Sequence, residues 1–411
     1  MKKFVRYWLL AIANLAVLTA AEKAKPCNTN CGCAARLRRR LALLKNDLDD
    51  AKTATQNNER DMLKLIVAAI ATDDQTRASI APVLAAAGKI VQNCKDRLTD
   101  ADAKYAQALA RTEQLATIYS VQSRLQSSDR QLQINLANNA RLTGTNYALA
   151  HTLAALGADN CKNTTEDDSD KGTITETGDD AESAPNKLIN HVNLLGKCRG
   201  DGTDTNSCHG TALTNDGKIH VKLEYAADSK QAGDWPDMNA AHAPVGTQAF
   251  DLIGDKASET HYDLKELAKI LANMECKQSI RSYSTITSQQ LYKLLLTKTT
   301  PGKEDAESGD ELTGQELKTV TATRYGDDGK NFKANLWDTI DNNPAYLGKQ
   351  KTEDTTQVKK LETLDKIGEA SARALVKQLK NKATSKTEKT AKETEKATED
   401  KKGGDNTAKP V

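Results

Sequence analysis

Leu37, Leu41, Leu44 and Leu48 recur at alternating spacings of four and three, which places them on one stripe of a helix with Lys and Asp on the opposite face. Leu63, Ile66 and Ile70 resume a stripe further on. Thr72-Asp73-Asp74 interrupts the apolar pattern and Pro82 lies just beyond it. This reads either as a turn, with Pro82 in the first turn of a new helix, or as a kink in a continuing one. From Ile80 the seam is the most regular in the chain, through Leu84, Ala87, Val91, Cys94, Leu98, Ala101, Tyr105 and Ala108. Steps of four and three sustained in this way are heptad a/d spacing. Gln126-Ser127-Ser128-Asp129 is a second candidate turn, after which a helical stretch is expected through Leu132, Leu136, Leu142, Leu149 and Leu153 to Gly157. Either break could be the tip of an antiparallel hairpin. A helix pair packed within one chain and a dimeric coiled coil account for the seam equally well, and paired hairpins would satisfy both.

The pattern changes at Gly157. Residues 158–185 are Asp, Glu, Thr, Gly and Ser with almost nothing apolar, so an exposed loop is expected there. Asn163-Thr164-Thr165, the one N-glycosylation sequon of the chain, falls in this stretch. Residues 186–262 mix turn residues with short strand-like runs such as Lys218 to Tyr225, and carry His191, His209, His220 and His242. Helical spacing returns over Tyr262 to Met274, more weakly over Leu291 to Leu296, and again over Leu361 to Leu379. Residues 381–411 alternate Lys, Glu and Thr without apolar periodicity and read as a solvated linker or tail.

Composition makes the helices the dominant feature. Hydrophobic residues are 38% and aromatics 4% of the chain, and many apolar positions are alanines, which bury narrow seams rather than a broad core. The expected fold class is therefore mainly α: a long antiparallel, coiled-coil-like helical hairpin forming a rod, with a loop-rich, disulfide-stapled head. Residues 1–21 read as a signal peptide, with Lys2, Lys3 and Arg6 before an apolar run from Trp8 to Leu18 and small residues at Thr19-Ala20-Ala21. The run is shorter than the ~20 residues a bilayer span requires. Its removal takes the formal charge from +2 to −1, so charge gives no case for a nucleic-acid or anionic-membrane partner.

The cysteines are Cys27, Cys31, Cys33, Cys94, Cys161, Cys198, Cys208 and Cys276, an even number behind a secretory leader, which reads as a disulfide framework. A metal reading of Cys27, Cys31 and Cys33 is disfavoured by the oxidising compartment and the absence of a nearby histidine. Cys161 is expected to pair with Cys198 or Cys208, and one of Cys27, Cys31 or Cys33 to tie the chain start to a neighbouring element. Nothing suggests catalysis: no H-E-x-x-H, G-x-S-x-G or phosphate-loop motif occurs, and paired carboxylates such as Asp49-Asp50 and Asp327-Asp328 sit in polar surroundings. The histidines lack metal-ligand spacing, so no cofactor or metal is expected. Arg199-Gly200-Asp201 is an adhesive-type tripeptide that Gly/Asp-rich loops generate by chance.

Several features together resemble the A-type N-terminal domain of trypanosome variant surface glycoproteins. They are the early cysteine before an Ala-rich helix, Ala140-Arg141-Leu142-Thr143-Gly144-Thr145 leading through Leu153 and Leu156 to Cys161, and Lys197-Cys198-Arg199. Leu317, Tyr325-Gly326, Phe332, Leu336-Trp337-Asp338-Thr339-Ile340 and Lys360-Leu361-Glu362 complete the series. The resemblance spans roughly residues 1–380 and implies a domain over 22–380, with long helices at 34–156, a head at 157–262 and return helices and loops at 263–380. It implies a homodimeric, non-enzymatic glycoprotein carried by the secretory pathway to the cell surface, where a dense coat varies antigenically to evade host antibody. Family members continue into a small Cys-rich domain and a signal for a glycosylphosphatidylinositol anchor at the plasma membrane, whereas this chain stops at Pro410-Val411. The rival expectation is a transferrin-receptor-like ligand-binding subunit without its own lipid anchor.

Overall fold

A computed structural model describes residues 27–128, 130–136, 147–151, 184–199, 217–348 and 354–399, with positions 161, 162, 164, 208 and 213. The stretch expected to be a signal peptide, His209, Asn163 and Gly200-Asp201 lie outside the described residues.

Two helices dominate: α1 (Asn30–Ala71, 42 residues) and α2 (Asp74–Ser127, 54 residues). At 1.5 Å rise they run about 63 and about 81 Å. They are antiparallel, as cross-hairpin ion pairs show: Arg38 with Glu113 at 3.0 Å and Lys95 with Glu59 at 2.5 Å. The tip is Thr72-Asp73. Asp73 accepts the Thr76 amide at 2.9 Å, a capping bond at the start of α2, and Arg77 reaches back to the Ala69 carbonyl at 2.9 Å. Pro82 therefore lies inside α2 rather than at a helix boundary.

The seam of α2 is buried at Ile80, Ala87, Val91, Cys94, Leu98, Ala101 and Ala108, and continues in phase through Thr112, Leu115, Tyr119 and Gln122. On α1 the leucine stripe holds, but its continuation differs from the expected one. After Leu48 the seam continues at Ala51, Thr55 and Asn58 in steps of three, four and three and is met again at Leu65, seven residues on. Lys64, Val67 and Ala68 are buried too, while Leu63, Ile66 and Ile70 are only partly buried. Polar Thr55 and Asn58 hide the seam from a hydrophobicity pattern. Both are satisfied: Thr55 donates to the Ala51 carbonyl, and Asn58 pairs with the Gln278 carbonyl and the Ile280 amide.

Where the helix expected after residue 129 falls on described residues, it is replaced by strands; Leu142, Leu153 and Gly157 lie outside them. β1 (Arg130–Asn135) and β2 (Tyr147–His151) pair antiparallel and join β3 (His191–Arg199), β4 (Lys218–Ala226) and β5 (Ala243–Ala249) in a five-stranded sheet of order β2-β1-β4-β3-β5. Every pairing is antiparallel. Gly196 of β3 lets the Trp235 ring lie 2.6 Å from where a Cβ would stand. The strand-like run expected at Lys218 to Tyr225 is β4, and the strands beside it in 186–262 reach nine residues. Helix α3 (Lys256–Ala272) follows, then α4 (Tyr283–Thr287), α5 (Gln290–Lys298), α6 (Gly314–Tyr325), α7 (Thr339–Asn342), a small hairpin β6 (Pro344–Leu347) with β7 (Asp354–Gln357), and α8 (Leu364–Glu399). The last helix continues through the first part of the tail read as a solvated linker.

The chain divides into two compact units, one of residues 1–48 with 99–273, the other of 49–98 with 274–411. In the first, Arg111 of α2 holds Asp263 of α3 at 3.1 Å, and the Tyr119 hydroxyl donates to the Asn186 carbonyl at 2.6 Å. In the second, the core gathers Leu65, Ile80, Val83, Tyr292, Tyr325, Phe332, Leu336, Trp337 and Ile340. Tyr283 packs on Gly329, where any Cβ would meet its ring at 2.2 Å.

Candidate functional site

All eight cysteines are paired, as Cys27–Cys33, Cys31–Cys161, Cys94–Cys276 and Cys198–Cys208. The Cα separations of 4.7 to 5.5 Å are those of ordinary bridges. The expected tie from the chain start is Cys31–Cys161. The expected bridge from Cys161 to Cys198 or Cys208 is not made. The reason is the strand pair that replaces the expected helix: β2 runs back until His151 faces Arg130, beside the end of α2. That end lies against the start of α1, where Asn30 donates to Gln126 at 2.7 Å and Cys31 meets Ser123. Cys161 is returned to Cys31, and Cys198 closes a short loop with Cys208.

Pro82 illustrates how α2 is held. Without an N–H, it leaves the Ala78 carbonyl four residues back without its helical donor. Arg324 of α6 supplies one at 2.7 Å and also binds the Thr299 carbonyl at 2.7 Å, while the Tyr325 hydroxyl donates to the Ser79 carbonyl at 2.6 Å. Burial pulls Arg324 below the usual guanidinium range and pushes the Tyr325 hydroxyl above the usual phenol range. Nearby, Arg281 lies 4.4 Å over the Trp337 ring and spans Asp61 and Asp341, each at 2.7 Å. Its hydrogen bonds to these carboxylates, Asp61 first, raise it above the ordinary arginine range. Within the Leu336-Trp337-Asp338-Thr339-Ile340 run, Leu336, Trp337 and Ile340 are buried packing residues, while Thr339 is exposed.

Among the described residues no group of three His, Cys, Asp or Glu side chains could hold a metal ion, and no helix is long and apolar enough to cross a membrane. Two open grooves occur in the second unit, about 860 Å³ beside Lys89, Gln290 and Asp310 and about 660 Å³ beside Tyr283, Lys318 and Asp328. Their charged rims are exposed. Of the histidines, the structure brings together His220 and His242, with ring centroids 6.1 Å apart. The sequence placed both among the scattered histidines of 186–262, and nothing in it pointed to their meeting.

No family model matches the chain. Variant surface glycoprotein 20 of Trypanosoma equiperdum is 36% identical over 363 residues, covering 87% of this chain and 78% of that protein. Variant surface glycoprotein ILTAT 1.1BC of Trypanosoma brucei brucei is 26% identical over 183 residues, 43% of this chain and 38% of its own length. The crystal structure of VSG13 superposes with a TM-score of 0.73 at 25% identity, over 86% of this chain and 99% of that one. A likeness that extends through both the sequence and the fold over most of the chain places it: it belongs to the variant surface glycoprotein family.

Proposed function

We propose that this chain is a building unit of a trypanosome surface coat, a protein whose work is to cover the cell and to present a replaceable antigenic face to host antibody. The observation that carries this is the 36% identity to a variant surface glycoprotein sustained over 87% of the chain. The architecture suits the task. Its long hairpin is held by a narrow apolar seam, its loops are stapled by disulfides, and surface positions can change without disturbing either. A coat role needs no catalytic group.

The finer parts of the reading follow the family. The coat unit is a homodimer, it carries glycan on Asn163, and it is retained at the plasma membrane by a lipid anchor. Antibody raised against the purified chain should label intact cells that express it, over their whole surface, and should fail on cells expressing another family member. Labelling confined to permeabilised cells would overturn the coat reading. Capture of one host serum protein in stoichiometric amount would favour a receptor subunit instead. Sedimentation of the purified chain should give twice the monomer mass, and glycosidase treatment should lower the mass of chain secreted by cells.

A further inference from the structure

One face of the five-stranded sheet collects positive charge that nothing described neutralises. Antiparallel register sets Lys197 of β3 opposite His220 of β4, and His220 opposite Gln133 of β1. Lys222 stands opposite Leu195 and Gln131, and Lys218 opposite Arg199 and Asn135. Directly opposed residues share a face, and the strand period of two adds Glu224 to Lys218, His220 and Lys222. On the far side of β3, Gly196 faces Ala243, which brings His242 in beside Lys197. The two imidazoles meet there with ring planes 19° apart. Nε2 of His220 is fixed by the Gln133 side-chain oxygen, and Lys197 reaches the Ala240 carbonyl at 3.4 Å.

Lys197, Arg199, Lys218 and Lys222 make no ion pair among the described residues. The one carboxylate at a strand position of this face, Glu224, is taken by Lys230 at 2.6 Å. Nε2 of His242 and Nε of Arg199 are buried without a hydrogen-bond partner. Like charges gathered beside buried, unpartnered nitrogens are unfavourable unless an acceptor of negative charge completes them, the imidazole nitrogen serving as donor once its ring is protonated. We propose that this face binds an oxyanion of the sulfate or phosphate class, free or carried on a glycan, seated among Lys197, Lys222, His220 and His242.

Binding is coupled to protons. Burial first, and then Lys197, His242 and Lys218, hold the His220 imidazole below its ordinary range; burial, Lys197 and Lys222 do the same for His242. Both rings are therefore mostly neutral at neutral pH and gain charge on acidification. A bound anion favours the charged rings and pulls their titration back up, so by linkage affinity rises as pH falls. Glu224, already paired with Lys230, opposes this little.

The test follows the histidine ring protons of the whole chain by NMR through a pH titration. It is run with chloride alone, with inorganic sulfate, and with a sulfated oligosaccharide at matched ionic strength. His220→Gln and His242→Gln assign the two signals. Both titrations should move upward with sulfate, and sulfate should bind about tenfold more tightly near pH 5.5 than near pH 7.5. Lys197→Gln and Lys222→Gln should each weaken binding about fivefold with melting temperature little changed, as expected where a half-buried lysine loses its charge but keeps most of its stem. A response to free sulfate supports a site for a single oxyanion; a response to the oligosaccharide alone supports an extended surface for a sulfated chain. Unchanged histidine titrations with both probes, or lysine variants that bind as the wild type does, would overturn the proposal.

Discussion

At the scale of single residues, the buried polar groups decide most. Arg324 repairs the defect that Pro82 makes in α2, binding the freed Ala78 carbonyl and the Thr299 carbonyl together. Arg324→Met should destabilise by about 2–3 kcal/mol, because buried carbonyls lose a charged donor. In a Pro82→Ala background the new amide can bond Ala78, so the same change should cost clearly less. That coupling is readable as a double-mutant cycle in urea, and additive effects would remove Arg324 from this role. Gln122 is the opposite case. It occupies the α2 seam, fully buried, with neither side-chain polar atom hydrogen-bonded. Gln122→Leu should stabilise by roughly 1 kcal/mol, seen as a raised melting temperature.

At the scale of elements, helix starts are fastened by carboxylates. Asp73 caps α2 through the Thr76 amide, and Glu316 closes a capping box with Thr313 at the start of α6. Those amide bonds are the leading cause that holds both carboxyls below their ordinary values of 3.8 and 4.5. A depressed pKa contributes stability that is complete above the ordinary value and lost as pH falls through the lowered one. Melting temperature should therefore decline on acidification below about pH 4.5. Asp73→Asn with Glu316→Gln, which keep acceptors but not charge, should flatten that decline. A decline of unchanged steepness would assign acid sensitivity to other groups. The sheet belongs to this scale too: β1 and β2 carry Leu132 and Leu149, and Leu136 follows β1 directly, at spacings a helix also permits. What makes them strands is the open edge of β4, whose Lys218–Lys222 stretch pairs with β1 residue by residue.

At the scale of the whole molecule, the disulfides decide which parts of the chain stay together. Non-reducing peptide mapping should return Cys31–Cys161 and Cys94–Cys276. These bridges close stretches of 130 and 182 residues, and losing either should cost about 4 kcal/mol. Losing Cys27–Cys33 or Cys198–Cys208, which close 6 and 10 residues, should cost less. The sequence by itself determined the pairing of cysteines as a class, the heptad seam from Ile80 to Ala108 and the likeness to the family. Each of these is local in the chain or a matter of composition. It did not determine the hairpin tip, because Thr72-Asp73 and Gln126-Ser127-Ser128-Asp129 are equally good breaks until helices are packed. The course of the α1 seam was hidden because Asn58 is polar, and its fitness for burial rests on Gln278 and Ile280, far along the chain. Cys31–Cys161 and the meeting of His220 with His242 likewise wait on strand pairing. Periodicity reports which face of an element is apolar; only tertiary structure supplies the distant partner that satisfies a polar group or completes a bridge.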